Sequence, residues 1–161
     1  MTSLYHDNLG LFHLISAFLA LGFGSLVLLL TKGTRLHRRW GFAYVVAMLA
    51  LNISALMIYR LFNGFGPFHI SALVSLASVV AGLVPAISKW PRNWPLWHFG
   101  FMYWSVIGLY AAFASEILTR VPETPFFGMV AFASGLIFVL GLWGYLAKRR
   151  KWRELVTAWI K

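Results

Sequence analysis

The sequence predicts an all-α, polytopic membrane protein: five transmembrane helices in a bundle, N-terminus outside, C-terminus in the cytoplasm. Three observations predict it. The chain has 161 residues, 60% of them hydrophobic, with a mean hydropathy of +0.76. Five apolar runs recur, Leu9–Thr31, Trp40–Leu61, Phe68–Ser88, Leu96–Leu118 and Phe126–Ala147. Each is near the ~20 residues a helix needs to cross the hydrocarbon core. The basic residues then fall in alternate gaps. Lys32, Arg35, Arg38 and Arg39 follow the first run, Lys89 and Arg92 the third. Lys148, Arg149, Arg150, Lys151, Arg153 and Lys161 follow the fifth. The other side keeps only Arg60 and Arg120, beside Asp7, Glu116 and Glu123. Lys and Arg collect on the cytoplasmic side of membrane proteins, and that rule sets the orientation.

Residues 1–147 read as one five-helix membrane domain and residues 148–161 as a basic amphipathic cytoplasmic tail. In the tail, Trp152, Leu155, Val156 and Trp159 recur at helical steps, as on a helix lying on the inner leaflet. The first run reads as a helix and not a signal peptide, because it lacks a positive n-region and a small-residue cleavage site. The net charge of +10 lies at helix ends, where it meets anionic headgroups. That distribution argues against nucleic acid as a partner. With no cysteine, metal chemistry would rest on His, Met, carboxylate or backbone.

The connections are short, so sequential helices are antiparallel neighbours. The turn Asn63–Pro67 joins the second and third runs, and Lys89–Pro95 the third and fourth. Pro95 suits the first turn of the fourth helix. Trp40, Trp90, Trp94, Trp97, Trp143 and Trp152 lie near the cytoplasmic boundary as an aromatic belt. Small residues mark packing faces, because close backbone approach drives helix association in lipid. They are Ala17, Ala20 and Gly24; Ser71, Ser75, Ser78 and Gly82; and Gly128, Ala131 and Gly135. No inverted repeat of the transporter kind is evident.

The chemistry-bearing residues are chiefly histidines. Beyond His6, which precedes the membrane, His13 and His69 fall at the outer ends of their helices. His37 and His98 fall at the cytoplasmic ends. Each pair comes from alternate helices, which are diagonal in a four-helix arrangement, and bundle cofactor sites draw on facing helices. Two imidazoles can ligate one haem iron axially. The expectation is therefore a haem-b-binding electron carrier with His13, His69, His37 and His98 as ligands, and a redox partner or quinone. Stepping about 100° per residue, His98 shares a stripe with Met102, Ser105, Leu109, Ala112 and Glu116. His13 shares one with Ser16, Ala17, Ala20 and Gly24, and His37 one with Gly41, Tyr44 and Met48. His69 disagrees: its stripe is Leu73, Leu76, Val80 and Leu83, opposite the serines. His37 adjoins Arg38 and Arg39 at the headgroup level.

Other readings stay open. A zinc or copper ion could sit at an outer site of His13, His69 and Glu116. Glu116 could instead pair with Arg60 or Arg120 and hold helix ends together, and the histidines could be bonded to carbonyls, water or lipid. Asn52 and Ser54 could bond between helices or line a polar site. The alternative function is a non-enzymatic membrane component: an assembly or structural subunit, or a carrier of a small solute or metal ion.

Three strings carry a resemblance. Lys32-Gly33-Thr34-Arg35-Leu36-His37-Arg38-Arg39-Trp40-Gly41, Gly64-Phe65-Gly66-Pro67-Phe68-His69, and Ser115-Glu116 with Arg120 together resemble the bacterial predicted-membrane-protein family DUF2306. The likeness covers helices one to four. It implies a small multi-helix protein of the bacterial inner membrane with membrane histidines, and no established activity. The histidine layout is similar, more loosely, to cytochrome b561-type di-haem bundles. That similarity is one of architecture alone.

Overall fold

The computed structural model describes residues 7–59, 63–118 and 125–160. It contains α1 (Asn8–Leu29), α2 (Arg35–Met57), α3 (Pro67–Ser88), α4 (Trp94–Leu118) and α5 (Phe126–Ile160). All five are long and apolar enough to cross a membrane, and no strand occurs among the described residues.

Local chemistry sets the helix ends. The Asp7 carboxylate accepts the Gly10 N–H at 2.7 Å and caps α1. At the other end Lys32 Nζ donates to the carbonyls of Val27 and Leu28, at 2.7 and 2.9 Å. Those carbonyls have no partner farther along the helix, and a cation there also suits the helix dipole. Gly33 then turns the chain at φ 81°. Thr34 Oγ1 accepts the His37 N–H at 3.1 Å, so α2 begins at Arg35, ahead of the apolar run at Trp40. The cap decides the start here, not hydropathy.

The chain divides into two compact units, Met1–Ala77 and Ser78–Lys161. In the first, α1 lays Ser16, Ala17, Ala20, Leu21 and Gly24 against α2. The facing residues of α2 include Tyr44, Met48, Leu51 and Ser54. The small face predicted for α1 is thus its packing face. The inward positions of α3 are His69, Ala72, Val79, Gly82 and Pro85. That phase resolves the conflict over His69. Leu73 and Val80, its expected stripe mates, are 47% and 46% exposed, whereas His69 is 3% exposed. Of the expected serine face, only Gly82 is fully buried.

In the second unit α4 and α5 run antiparallel. Tyr103 Oη donates to the Gly141 carbonyl at 2.7 Å. Ser115 Oγ and Ser134 Oγ share a hydrogen bond of 3.1 Å. The small residues expected to pack on α5, Gly128, Ala131 and Gly135, are exposed. The contact runs instead through Ala133, Gly141 and Val156, which are buried. The reason is steric: at Gly141 an added Cβ would lie 2.7 Å from Ile107 Cγ2, whereas at Gly135 it would meet nothing.

α5 is one helix of 35 residues, unbroken across Ala147–Lys148, or about 52 Å long at the usual rise per residue. The Trp152 ring lies 4.1 Å from Phe99 and 5.4 Å from Tyr103, centroid to centroid. Trp152 therefore has a protein partner, Phe99 and Tyr103 of α4.

Candidate functional site

Backbone and side-chain hydrogen bonds decide what each histidine can do. His13, in the second turn of α1, places Nδ1 2.9 Å from Ser54 Oγ on α2. The single Ser54 hydroxyl proton goes to the Leu51 carbonyl at 2.9 Å. His13 Nδ1 is therefore the donor. The bond ties α1 to α2, as expected for Ser54. Asn52 behaves differently: it is buried, and its Nδ2 donates within its own helix to the Met48 carbonyl at 2.8 Å.

His98 has the same tautomer by another route. Its Nδ1 lies 2.8 Å from the Gly82 carbonyl, which can only accept. A proton on Nδ1 held by a backbone carbonyl is the arrangement that directs Nε2 toward a metal or a proton donor. Gly82 makes the bond possible, because its missing Cβ lets Met102 of α4 come close. The pairing of Phe99 with Trp152 and of Tyr103 with Tyr145 sets the basic run Lys148–Lys151 beside the first turns of α4.

His69 is the reverse case. It is the third residue of α3, and its Nδ1 accepts the N–H of Gly66, just ahead of the helix, at 3.1 Å. Its own N–H returns to the Gly66 carbonyl at 3.0 Å. This is one half of a capping box, with imidazole in the place of the usual carboxylate or carboxamide and the Gly66 carbonyl in the place of the N-cap side chain. Because Nδ1 accepts, the proton of the neutral ring is on Nε2. That Nε2 is buried and has no hydrogen-bond partner among the described residues, at a cost on the order of 1–3 kcal/mol. The rings of Tyr59 and Phe65 lie against it, with centroids at 4.7 and 4.9 Å.

The haem expectation can be tested on these bonds. Axial ligation uses an imidazole nitrogen with a free lone pair. His13 and His98 each commit Nδ1 as a donor, to Ser54 and to the Gly82 carbonyl. His69 does not, since its lone pair holds the Gly66 N–H. The outer pair, His13 with His69, therefore does not fit a haem iron. His37 is half-buried in the first turn of α2 and belongs to the first unit, His98 to the second.

The ion cluster is placed in part. Glu116 is half-buried on α4. Arg60 and Arg120, with His6, lie outside the described residues. His13 and His69 belong to the first unit and Glu116 to the second. Among the described residues, no three His, Cys, Asp or Glu side chains come together as a metal site.

Sequence reasoning missed the bonding partners Gly66 and Gly82. Both offer backbone atoms, and a backbone atom leaves no mark in residue type. The glycines themselves were the available signal, since each marks a close approach.

Five membrane-length helices carrying embedded histidines define a multi-pass membrane protein. The chain belongs to the predicted membrane protein family DUF2306, whose profile matches residues 10–148. No curated protein and no solved structure matches the chain.

Proposed function

We propose that this protein is a non-enzymatic component of the bacterial inner membrane, a structural or assembly subunit whose histidines hold its helices together. The observation that carries this reading is the use of Nδ1. His13 spends it on α2, His98 on the backbone of α3, and His69 on the cap of α3. Polar bonds between helices contribute in lipid about 0.6 kcal/mol each on average. Two of the three are of this kind, His13 to α2 and His98 to α3, and they suit a scaffold. On this reading the cytoplasmic Lys and Arg residues meet anionic headgroups.

A second reading has its own support. The bonds of His13 and His98 use Nδ1, the nitrogen that an Nε2-ligating histidine commits to its supporting partner, and this keeps a haem-b electron carrier in view, with a quinone or protein as redox partner. The absorption spectrum of the purified protein separates the two. The scaffold reading expects no b-type spectrum and no stoichiometric metal. A reducible haem at one or more per chain, lost in His98→Ala and retained in His6→Ala, would overturn it.

The orientation is part of the proposal. A cysteine replacing Thr2 should label from outside intact cells, and one replacing Thr34 only after permeabilisation. Labelling of the Thr34 position in intact cells would reverse the assignment of both faces.

A further inference from the structure

His69 holds a proton that points at no acceptor among the described residues. The ring is 3% exposed, its Nδ1 is committed to the Gly66 N–H at 3.1 Å, and its Nε2 is buried without a partner among them. We propose that the His69 Nε2–H is the recognition point for a neutral carbonyl oxygen carried by a membrane-soluble ligand, whose apolar body lies against Tyr59 and Phe65.

Three arguments lead to that class. First, the capping bond fixes the group as a donor. Nδ1 accepts from Gly66, so the ring proton is on Nε2, and that atom needs an acceptor. Second, the acceptor is neutral. A single uncharged N–H does not offset the desolvation of a carboxylate or phosphate at a buried site. Third, the acceptor belongs to an apolar molecule. A buried water needs two to four polar partners, and the Tyr59 and Phe65 rings present carbon faces to the imidazole. Those rings are themselves 50% and 61% exposed. They can therefore meet a ligand arriving from the hydrocarbon. Such oxygens come from two sources in a membrane, the ester carbonyls of glycerolipids and the ring carbonyls of quinones. The site needs only the first unit of the chain and neither orientation nor redox activity. It stands apart from the scaffold reading.

The test observes the proton itself. Wild-type protein with ¹⁵N-labelled histidine is placed in nanodiscs of zwitterionic ether lipid, which has no ester carbonyl. The His69 signal is assigned as the one absent in His69→Gln. The expected signal is the Nε2–H tautomer, and its proton moves downfield on exchange into ester lipid or on addition of a short-chain benzoquinone. The arm that moves it names the source. No movement in either arm overturns the proposal, as does an Nδ1–H tautomer. Movement that requires an anionic ether lipid overturns the neutral acceptor. A second measurement counts ligand retained through detergent purification. His69→Gln keeps both the cap and a donor and should retain the ligand. His69→Leu keeps neither and should lose it at least tenfold. Equal retention by the two variants would also overturn the assignment.

Discussion

Gly82→Leu is expected to be among the most damaging single substitutions in the second unit. A Cβ at this position would lie 2.9 Å from Met102 Cγ and Sδ, and 3.3 Å from the Met102 backbone nitrogen. The methionine side chain can swing aside. The backbone nitrogen cannot, so α3 and α4 must separate locally. Overpacking of this kind costs about 1–3 kcal/mol. The separation also stretches the bond from His98 Nδ1 to the Gly82 carbonyl, now 2.8 Å, and costs a further increment of about 0.6 kcal/mol. Gly22→Leu is the matched control, since a Cβ there meets nothing within 4 Å. Thermal unfolding in one detergent should therefore show a clear drop in Tm for Gly82→Leu and little change for Gly22→Leu. Equal melting of the two variants would show that the α3–α4 approach does not depend on the absent side chain.

The helices were legible because lipid imposes a length and a hydropathy that few other structures share. Phe68–Ser88 and Leu96–Leu118 were read within two residues of α3 and α4. The start of α2 was read five residues late, because hydropathy does not register a cap made by Thr34. Helix phase was harder. In α1 a single small stripe coincides with the buried face. In α3 several stripes of small or apolar residues compete, and the sequence has no term for which one a neighbour will cover. For His69 that choice stayed open, between its own apolar stripe and the opposite serines.

The site was legible as a set of residues and not as chemistry. His13, Ser54 and His98 were each singled out, and each makes a bond between segments. Their roles depend on which ring nitrogen carries the proton. That depends in turn on a carbonyl at Gly82, an N–H at Gly66, and a hydroxyl proton already spent on Leu51. A pairing of histidines by helix number treats the four rings as equivalent. At Nδ1 His69 accepts where His13 and His98 donate, and that difference separates the outer pair.

Trp152→Ala is expected to detach the end of α5 from α4. Trp152 lies outside the span shared with the family, which stops at residue 148, yet its ring packs on Phe99, Tyr103 and Tyr145 at 4.1, 5.4 and 6.0 Å. Truncating a fully buried Trp costs roughly 3–5 kcal/mol. Trp152 is half-buried, so about 2 kcal/mol is the appropriate scale. That corresponds to roughly thirtyfold in the opening equilibrium of the segment. Lys148, Arg149, Arg150, Lys151 and Arg153 make the segment a dense trypsin substrate, and trypsin cuts only the opened form. In nanodiscs, cleavage here should rise by roughly that factor in Trp152→Ala when cutting is slow relative to closing. Trp152→Phe, which keeps a ring against Phe99, should lie close to wild type. Lipid composition gives the decisive comparison. A tail held by α4 is protected equally in zwitterionic and anionic discs. A tail held by headgroups, as its amphipathic pattern first suggested, loses protection when the anionic lipid is withdrawn, because attraction of basic residues to the surface contributes about 1 kcal/mol each. Protection of the wild type that vanishes in zwitterionic discs would return the segment to the membrane surface and leave the contact with Phe99 incidental.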